Sequence, residues 1–341
     1  MNKFLIYLPA LVFVFLLSVT DRSWAQASFY EGKTLRLVVG FPAGGGYDLY
    51  TRTIGRHLGK HIPGNPTIIV ENMPGAGSMI SANHTFKAAK PDGLTIGHFI
   101  GGLFLQQILG KPGIEFDAAK FEFVGVPAQD NFIIGVAKGT GITDIEKWLA
   151  SKQIVKFGGV ASGSGSDDIP NILKATIGLP LQLVSGYKGT ADVRMAFASG
   201  EVAGLSNSWE STKSTWRKEL DSGELVPVLQ ATIKPHPELT KLPMALNLAK
   251  TDEAKKLIQT VARVHGATVR PYALPPRTPK DRVAIVRKAF MDTMKDPEFL
   301  AEAKKANLDI NPEDGATLEN SVKEILKLEP ALVAKLKEIL K

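Results

Sequence analysis

Two glycine-rich turns have the residue types and spacing of an anion site between a strand and a helix. The first lies in LRLVVGFPAGGGYD, from Leu35 to Asp48, and the second lies in IVKFGGVASGSGSD, from Ile154 to Asp167. A shift of 119 residues (154 − 35) places the second segment over the first, so that Gly46 falls on Gly165 and the terminal aspartates coincide. Each segment is followed by an amphipathic helical pattern. The overlay predicts that the two turns share one role.

The chemistry of such a turn comes from the backbone. The first N–H groups of a helix have no partner within the helix, and the peptide dipoles add partial positive charge there. Glycine removes the Cβ that would keep a ligand away, and ligands of open α/β sheets bind at the carboxyl ends of the strands. Four or five donors at roughly 1.5–3 kcal/mol each reach the ~8 kcal/mol of micromolar binding. The prediction is a small-anion site that requires no arginine.

The two aspartates allow two interpretations. The simpler one is that Asp48 and Asp167 cap their helices by accepting hydrogen bonds from the free amides. The alternative is that Asp48 points into the crevice and contacts an amine or hydroxyl of a ligand. Because a carboxylate there would repel an anion, we expect main-chain groups to hold the ligand's charge.

Other chemistry fits the sequence less well. The dinucleotide fingerprint G-x-G-x-x-G begins at Gly44, but Leu49 stands in place of its third glycine, and Gly46 is not followed by the lysine of a P-loop. The serines of ASGSGSD lack the glycine offsets of a G-x-S-x-G nucleophile elbow. His57 and His61 lie four residues apart without the glutamate of a metalloprotease. We therefore expect no catalytic residue, no metal and no cofactor.

The N-terminal segment has the three parts of a secretory signal peptide. Lys3 precedes an apolar run from Phe4 to Leu17, and a small-residue A-Q-A site ends at Ala27. We predict that residues 1–27 are removed; a retained anchor is the alternative, but the run is shorter than the ~20 apolar residues of a spanning helix. The chain has no cysteine, which excludes disulfides, thiolate ligands and a lipid-carrying cysteine. The sequence predicts a periplasmic protein that is soluble and has no lipid anchor.

The charge distribution argues against a nucleic-acid partner. The 341 residues carry a formal charge of +7, from 41 lysines and arginines against 34 aspartates and glutamates. The lysines are scattered among glutamates and do not form a stripe. A modest positive charge is compatible with an anionic small ligand.

Short apolar runs alternate with helical patterns, which indicates an α/β protein with largely parallel sheets. Two extended segments, Phe121–Lys138 and Leu225–Lys234, are interpreted as crossings between two units. We therefore predict domain 1 from residues 28–129 and 231–341, an inserted domain 2 at residues 130–230, a hinge at the crossings, and helices from Thr251 onward on domain 1. The predicted strands are Leu35–Gly40, Thr67–Glu71, Thr95–Phe99, Phe121–Val126, Phe132–Ala137, Val155–Gly159, Leu181–Ser185 and Val202–Ser206.

Several segments follow the order and spacing of one known family. They include LRLVVGFPAGGGYDLYTR, IIVENMPGAGSMISANH, AKPDGLTIG, GVASGSGSDDI, VSGYKGTADVRMAFASGEVAG and PPRTPKDRVAIVRKAFMDTMKDPEF. The chain thereby resembles the extracytoplasmic solute-binding proteins of the tripartite tricarboxylate transporter family, also called Bug receptors. The resemblance covers nearly all of the chain after residue 27.

The resemblance implies a type II periplasmic-binding-protein fold, with two α/β domains, a hinge and a ligand cleft between them. It implies capture of a small carboxylate without catalysis and delivery to a membrane permease with a large and a small subunit; we expect the receptor itself to be a monomer. The ligand-binding residues that it implies, position by position, are Ala43, Gly44, Gly45, Gly46, Tyr47, Asp48, Gly77, Ser78, Ser162, Ser164, Gly165, Ser166, Tyr187, Thr190 and Asn207.

Two departures from the family pattern leave the ligand open. Tyr47 replaces the small Ser or Thr common in the first loop, and Ser185-Gly186 replaces the Val-Pro often seen before Tyr187. Dicarboxylates, tricarboxylates, aromatic acids and amino acids all remain compatible with the sequence. A sensing receptor for a signalling partner, or an exported enzyme on the same fold, remains as an alternative to transport.

Overall fold

The computed structural model describes residues 29–340, so the predicted signal peptide at residues 1–27 lies outside the described residues. Within the described part, no helix combines the length and apolar character needed to cross a bilayer. In chain order, the strands are β1 (Thr34–Val39), β2 (Thr67–Asn72), β3 (Thr95–His98), β4 (Glu122–Val126), β5 (Phe132–Ala137), β6 (Val155–Gly158), β7 (Leu181–Val184), β8 (Gly204–Ser208), β9 (Leu225–Ala231), β10 (Tyr272–Leu274) and β11 (Glu313–Asp314).

The helices lie on the faces of two sheets built from these strands. They are α1 (Gly46–Leu58), α2 (Met79–Asn83), α3 (Gly102–Ile108), α4 (Ile145–Ser151), α5 (Gly165–Ile177), α6 (Thr190–Ala198), α7 (Trp209–Thr215), α8 (Arg217–Asp221), α9 (Ala245–Leu248), α10 (Asp252–Ala267), α11 (Lys280–Thr293), α12 (Pro297–Lys305), α13 (Gly315–Leu326) and α14 (Pro330–Ile339).

The two sheets repeat one plan. The first has the strand order β2-β1-β3-β10-β4-β11, and the second has the order β7-β6-β8-β5-β9. In each sheet the second strand in this order, β1 or β6, lies between two parallel neighbours. The fourth strand in each order, β10 or β5, is antiparallel to both of its neighbours and separates the third strand from the fifth. The α/β class is confirmed, but the sheets are mixed and not largely parallel.

The eight predicted strands are present, with ends within two residues of those expected. The central strands β1 and β6 bury their apolar side chains between helical layers; Leu35, Leu37 and Phe157 are fully buried. The strands that sequence patterns did not predict, β10 and β11, have three and two residues. Such short strands carry no alternating pattern, because they are defined by their pairing, that of β10 with β3 and β4 and that of β11 with β4.

The chain passes between the sheets at two places. Residues 127–131 connect β4 to β5. The return was predicted at Leu225–Lys234, which is too early: β9 pairs with β5, and α10 packs on α5, so the chain rejoins the first sheet through residues 268–271 before β10. The expectation that the helices after Thr251 all pack on the first unit is therefore wrong for α10 and also for α14, which packs on α5. An amphipathic pattern indicates a buried face but not which partner covers it.

Candidate functional site

A cavity of about 60 Å³ lies between the two sheets, where the turns after β1 and β6 meet. The first turn contributes Phe41, Pro42 and residues 45–47, and the second contributes Val160 and residues 164–166. The turns thus face one another at the carboxyl ends of the two equivalent central strands. The crossing segments close the remaining wall with Asp130 and Arg270.

About half of the sequence-predicted site residues line this cavity. The structure brings together Gly45, Gly46, Tyr47, Ser164, Gly165, Ser166, Thr190 and Asn207. The residues that lie outside its wall are Ala43, Gly44, Asp48, Gly77, Ser78, Ser162 and Tyr187. The second group supports the loops or the contact between the two units, as the following contacts show.

Both turns end in helices of the same length. α1 begins at Gly46 and α5 at Gly165, each has 13 residues, and the starts are 119 residues apart (165 − 46), as in the sequence overlay. Neither helix has a side-chain hydrogen bond from its N-cap residue, Gly45 or Ser164. Among the described residues, the amides of Gly46 and Gly165 donate to no protein acceptor. Two helix N-termini with free donors and partial positive charge therefore border the same cavity.

Asp48 neither caps α1 nor points into the cavity. Its carboxylate accepts hydrogen bonds from the Gly44 amide at 3.0 Å, from Arg52 Nε at 2.9 Å and from Asn72 Nδ2 at 2.9 Å. Burial raises the pKa of Asp48, but these hydrogen bonds outweigh it and hold the pKa below its usual value. Both interpretations of Asp48 are therefore wrong. The residue fixes the shape of the glycine loop from behind.

The carboxylates of the second turn also fix the shape of their loop by accepting hydrogen bonds from its amides, but the residues are differently paired. Asp168, not Asp167, accepts the hydrogen bond from the equivalent loop amide, Gly163 N, at 2.9 Å. Asp167 Oδ1 accepts from Val160 N at 2.6 Å and from Ser164 Oγ at 3.0 Å, so it also does not cap the helix. Burial raises the pKa of Asp167, against the hydrogen bonds from Ser185 and Ser164.

The remaining outlying residues belong to supporting contacts. Ser78 has a left-handed backbone (φ +68°), and its hydroxyl accepts a hydrogen bond from Ile100 N at 3.0 Å. A Cβ on Gly77 would lie 2.7 Å from that of Ala161, in the second sheet's turn. The hydroxyl of Tyr187 donates to Glu201, which raises the pKa of Tyr187 to about 12. Tyr187 therefore faces away from the cavity.

Sequence reasoning missed Arg270, the arginine that lines the cavity. It is 1% exposed, and its Nε donates to Asp130 Oδ1 at 2.9 Å while Nη2 donates to Ser208 Oγ at 3.2 Å. The guanidinium also lies 5.0 Å from the ring centroid of Tyr47 and 4.5 Å from that of Tyr50. Burial lowers the pKa of Arg270, but Asp130 more than offsets this, so the group stays protonated.

Tyr47 belongs to a stack of rings beneath the first turn. Its ring centroid lies 4.6 Å from that of Phe41 and 4.8 Å from that of His98, and its hydroxyl donates to Val269 O. His98 stacks in turn on Tyr272 at 4.1 Å. Burial lowers the pKa of His98 to about 3, so the imidazole is neutral. Tyr47 thus covers Arg270 and closes one side of the cavity, where the family pattern has a small hydroxyl residue.

The two units touch closely around the cavity. A Cβ on Gly45 would lie 3.2 Å from Thr190 Oγ1, and one on Gly46 would lie 2.5 Å from Ser211 Oγ. Below the cavity, Lys111 Nζ donates to the Ser162 carbonyl at 2.5 Å. These contacts join elements of different sheets, so the structure is the closed form of the cleft.

Curated proteins resemble part of this chain in sequence. No family model matches the chain. The UPF0065 protein of the gbd 5′ region in Cupriavidus necator is 25% identical over 206 residues, which cover 59% of this chain and 60% of that protein. A UPF0065 protein of Bordetella bronchiseptica is 26% identical over 180 residues, which cover 52% of this chain and 50% of that protein. The matched region therefore spans between one half and three fifths of these curated relatives.

Solved structures match over nearly the whole described chain. The periplasmic binding protein BugD superimposes with a TM-score of 0.72 at 21% identity, covering 91% of this chain and 98% of BugD. R. palustris Rpa4515 with adipate superimposes with a TM-score of 0.71 at 22% identity, covering 90% of this chain and 98% of Rpa4515. MatC from Rhodopseudomonas palustris with bound malate superimposes with a TM-score of 0.70 at 18% identity, covering 91% of this chain and 99% of MatC. The fold is that of a periplasmic binding protein.

The Bug-type resemblance predicted from the sequence motifs is confirmed by these relatives and neighbours. In this periplasmic-binding-protein fold, the first and second sheets form the two lobes of the cleft, and residues 127–131 and 268–271 are the crossings between them. Asp130 lies on the first crossing and Arg270 on the second. Their ion pair therefore ties the two crossings together at the back of the cavity.

A second carboxylate lies close to this pair. Glu210 accepts hydrogen bonds from Asn131 N at 2.9 Å and from Asn131 Nδ2 at 2.8 Å. Burial, together with the nearby charge of Asp130, raises the pKa of Glu210 to about 7. Burial also raises the pKa of Asp130, against the opposing effect of Arg270. The back wall thus carries one fixed cation and two carboxyl groups with weakened acidity.

The two histidines set aside in the sequence form an ion-pair cluster far along α1 from the cavity. His57, Asp296 and Glu298 place ligand atoms close enough to share a metal ion. However, Lys60 Nζ lies 2.5 Å from Asp296 and 2.6 Å from Glu298, and His61 Nε2 lies 3.0 Å from Asp296. The lysine already supplies the positive charge that these carboxylates need. The cluster joins the end of α1 to the start of α12.

Proposed function

We propose that the protein is a periplasmic solute-binding protein that captures a small organic carboxylate for a tripartite tricarboxylate-type membrane transporter. The observation that carries this proposal is the pair of equivalent helix starts, Gly46 and Gly165, which face one cavity from different sheets with unpartnered amides. A carboxylate between them receives main-chain hydrogen bonds from both lobes. Because each lobe supplies donors, ligand binding favours closure.

The chemistry of the cavity supports binding more than catalysis. Ser164 Oγ lies within hydrogen-bond distance of two acceptors, Ala161 O at 2.7 Å and Asp167 Oδ1 at 3.0 Å, and Ser166 Oγ lies 3.1 Å from the same carboxylate oxygen. Among the described residues, neither serine bonds a histidine that could act as its base. Asp130 is held in its ion pair with Arg270. The cavity therefore offers positioned donors without an activated nucleophile, as expected for a receptor.

The ligand class follows from the donors and from the neighbours. Neighbouring structures of this fold contain adipate and malate. We propose a small carboxylate for this chain as well, with the two lobes moving about residues 127–131 and 268–271. The proposal includes a monomeric receptor, released into the periplasm by removal of residues 1–27, and large and small integral-membrane subunits as its partners.

A ligand screen tests the proposal. Thermal unfolding is followed with malate, adipate, succinate, citrate, benzoate and glutamate, and hits are measured by isothermal titration calorimetry. A ligand at 100 times its dissociation constant stabilises the folded state by about 2.7 kcal/mol. We expect stabilisation by at least one carboxylate, none by its uncharged amide, and recovery of the carboxylate unchanged. Conversion of a bound carboxylate into a product, or no stabilisation by any of the six, would refute the receptor proposal.

A further inference from the structure

Arg270 carries a buried donor that the protein leaves without an acceptor. Its Nε and Nη2 are bound to Asp130 and Ser208, but among the described residues Nη1 has no hydrogen-bond partner. A buried donor without a partner destabilises the protein, and more so when the group is charged. The residue lines the cavity, so an acceptor placed there would remove this cost.

Two further donors surround the same point. A Cβ built on Gly46 would lie 3.4 Å from Arg270 Nη1 and 2.5 Å from Ser211 Oγ. The Gly46 amide is free, and within the described residues the Ser211 hydroxyl donates to no protein acceptor. The start of α1, the Ser211 hydroxyl and the guanidinium N–H therefore lie side by side in the cavity wall, so closely that a side chain in place of Gly46 would clash with Ser211. Three neighbouring donors, one of them cationic, fit an oxyanion.

The guanidinium is also held in place for this task. Asp130 accepts from Nε, Ser208 accepts from Nη2, and the rings of Tyr47 and Tyr50 lie against the guanidinium. These contacts occupy Nε and Nη2, so Nη1 is the nitrogen of the guanidinium that a ligand can reach. Because Asp130 and Arg270 lie on the two crossings between the lobes, an anion at Nη1 contacts the hinge itself.

We infer that Arg270 is the anchor for a ligand carboxylate, that Gly46 and Ser211 complete this subsite, and that Asp130 is a positioning residue. This inference rests on the proposed function and names the side chain that gives the site its selectivity for anions. It differs from the sequence-based expectation, in which the site requires no arginine. Asp130 stabilises the buried guanidinium in the unliganded protein, and it orients the guanidinium toward the ligand.

Charge-balanced variants test the inference. Removing Arg270 alone would leave Asp130 buried and unpaired, so the principal variant is the double substitution Arg270→Gln with Asp130→Asn, which removes both charges and keeps polar groups of similar size. Asp130→Asn alone keeps the guanidinium. Arg36→Gln removes an exposed cation that is paired with Glu71 between β1 and β2, and it serves as the control for loss of a cation that does not line the cavity.

The affinities of these proteins for malate, adipate, succinate, citrate, benzoate and glutamate are measured by calorimetry, with thermal unfolding to verify folding. We expect the double variant to lose at least about tenfold in affinity for whichever carboxylate the wild type binds. Asp130→Asn keeps the guanidinium but weakens the contact that orients it, so we expect a loss of affinity that is clearly smaller than that of the double variant. Arg36→Gln is expected to match the wild type.

The outcomes separate this inference from the proposed function. A wild-type protein that binds none of the six probes overturns the proposed function and this inference with it. A folded double variant that binds as tightly as the wild type overturns the inference alone and leaves the receptor proposal standing. Equal tenfold losses in the double variant and in Asp130→Asn would also overturn it, because the pair would then serve only to maintain structure.

Discussion

Substituting Gly45 by valine separates ligand binding from folding. Gly45 has φ −93° and ψ 172°, a conformation that any residue adopts, so the change causes no backbone strain. A Cβ at this position would lie 3.2 Å from Thr190 Oγ1 in the opposite lobe. The γ-methyl groups of valine extend further into the same space. Gly45→Val is therefore expected to fold normally and to prevent closure of the lobes.

The magnitude follows from the donors that closure supplies. In an open cleft, a carboxylate that is held by one turn loses the donors of the other. Losing two hydrogen bonds to a charged group, at roughly 1.5–3 kcal/mol each, weakens binding by roughly 3–6 kcal/mol. That free energy corresponds to roughly 10²- to 10⁴-fold in the dissociation constant. Gly45→Ala, whose single Cβ requires Thr190 to move by only a few tenths of an ångström, is expected to lose less.

Calorimetry with the best carboxylate of the screen measures this effect, and small-angle scattering compares the compactness of the liganded proteins. The matched control is Gly139→Val, because a Cβ on Gly139 has no atom within 4 Å. Combining Gly45→Ala with Thr190→Ala is expected to recover the affinity lost in Gly45→Ala, since the opposing hydroxyl is removed. Unchanged affinity in a folded Gly45→Val protein would refute the closure argument.

Three other substitutions test separate parts of the structure. Asp48→Ala removes acceptors for Gly44, Arg52 and Asn72; urea unfolding should show a loss of about 1–3 kcal/mol, and calorimetry weaker ligand binding, whereas unchanged values would contradict its supporting role. Lys111→Met removes the donor to the opposite lobe and should accelerate ligand release several-fold in stopped-flow traces; an unchanged rate would argue against this latch. The pKa of Glu210 is raised to about 7 in the folded protein, from about 4.5 in the unfolded chain. Its contribution to the free energy of unfolding therefore falls as the pH rises from about 4.5 to 7. Glu210→Gln should remove that fall, and identical pH profiles of unfolding for the two proteins would contradict it.

The first turn shows how far sequence patterns reach. The overlay of the two glycine-rich segments placed the starts of α1 and α5 in register, and the structure has both helices starting at the equivalent glycines, Gly46 and Gly165. Local signals suffice here, because an apolar strand, a glycine loop and an amphipathic helix each depend on neighbouring residues. The same local reasoning placed Asp48 near the turn but could not show that Asn72 and Arg52 bind it.

Arg270 shows what sequence patterns cannot supply. It stands alone in ATVRPY, with no repeated or periodic context, and its partner Asp130 lies 140 residues away. The pair forms because the chain crosses between the sheets twice and both crossings pass behind the cavity. The second crossing was itself misplaced, since the partner of α10 is decided by tertiary packing. A buried ion pair between two crossings is therefore visible only in the folded structure.

The central claim is that the starts of α1 and α5 hold one ligand carboxylate between the lobes. A crystal structure of the protein with the tightest-binding carboxylate of the screen tests it most directly. The account predicts carboxylate oxygens within about 2.7–3.2 Å of main-chain amides in both turns. A ligand bound outside this cavity, or one that contacts the main chain of only one turn in a closed cleft, would contradict it.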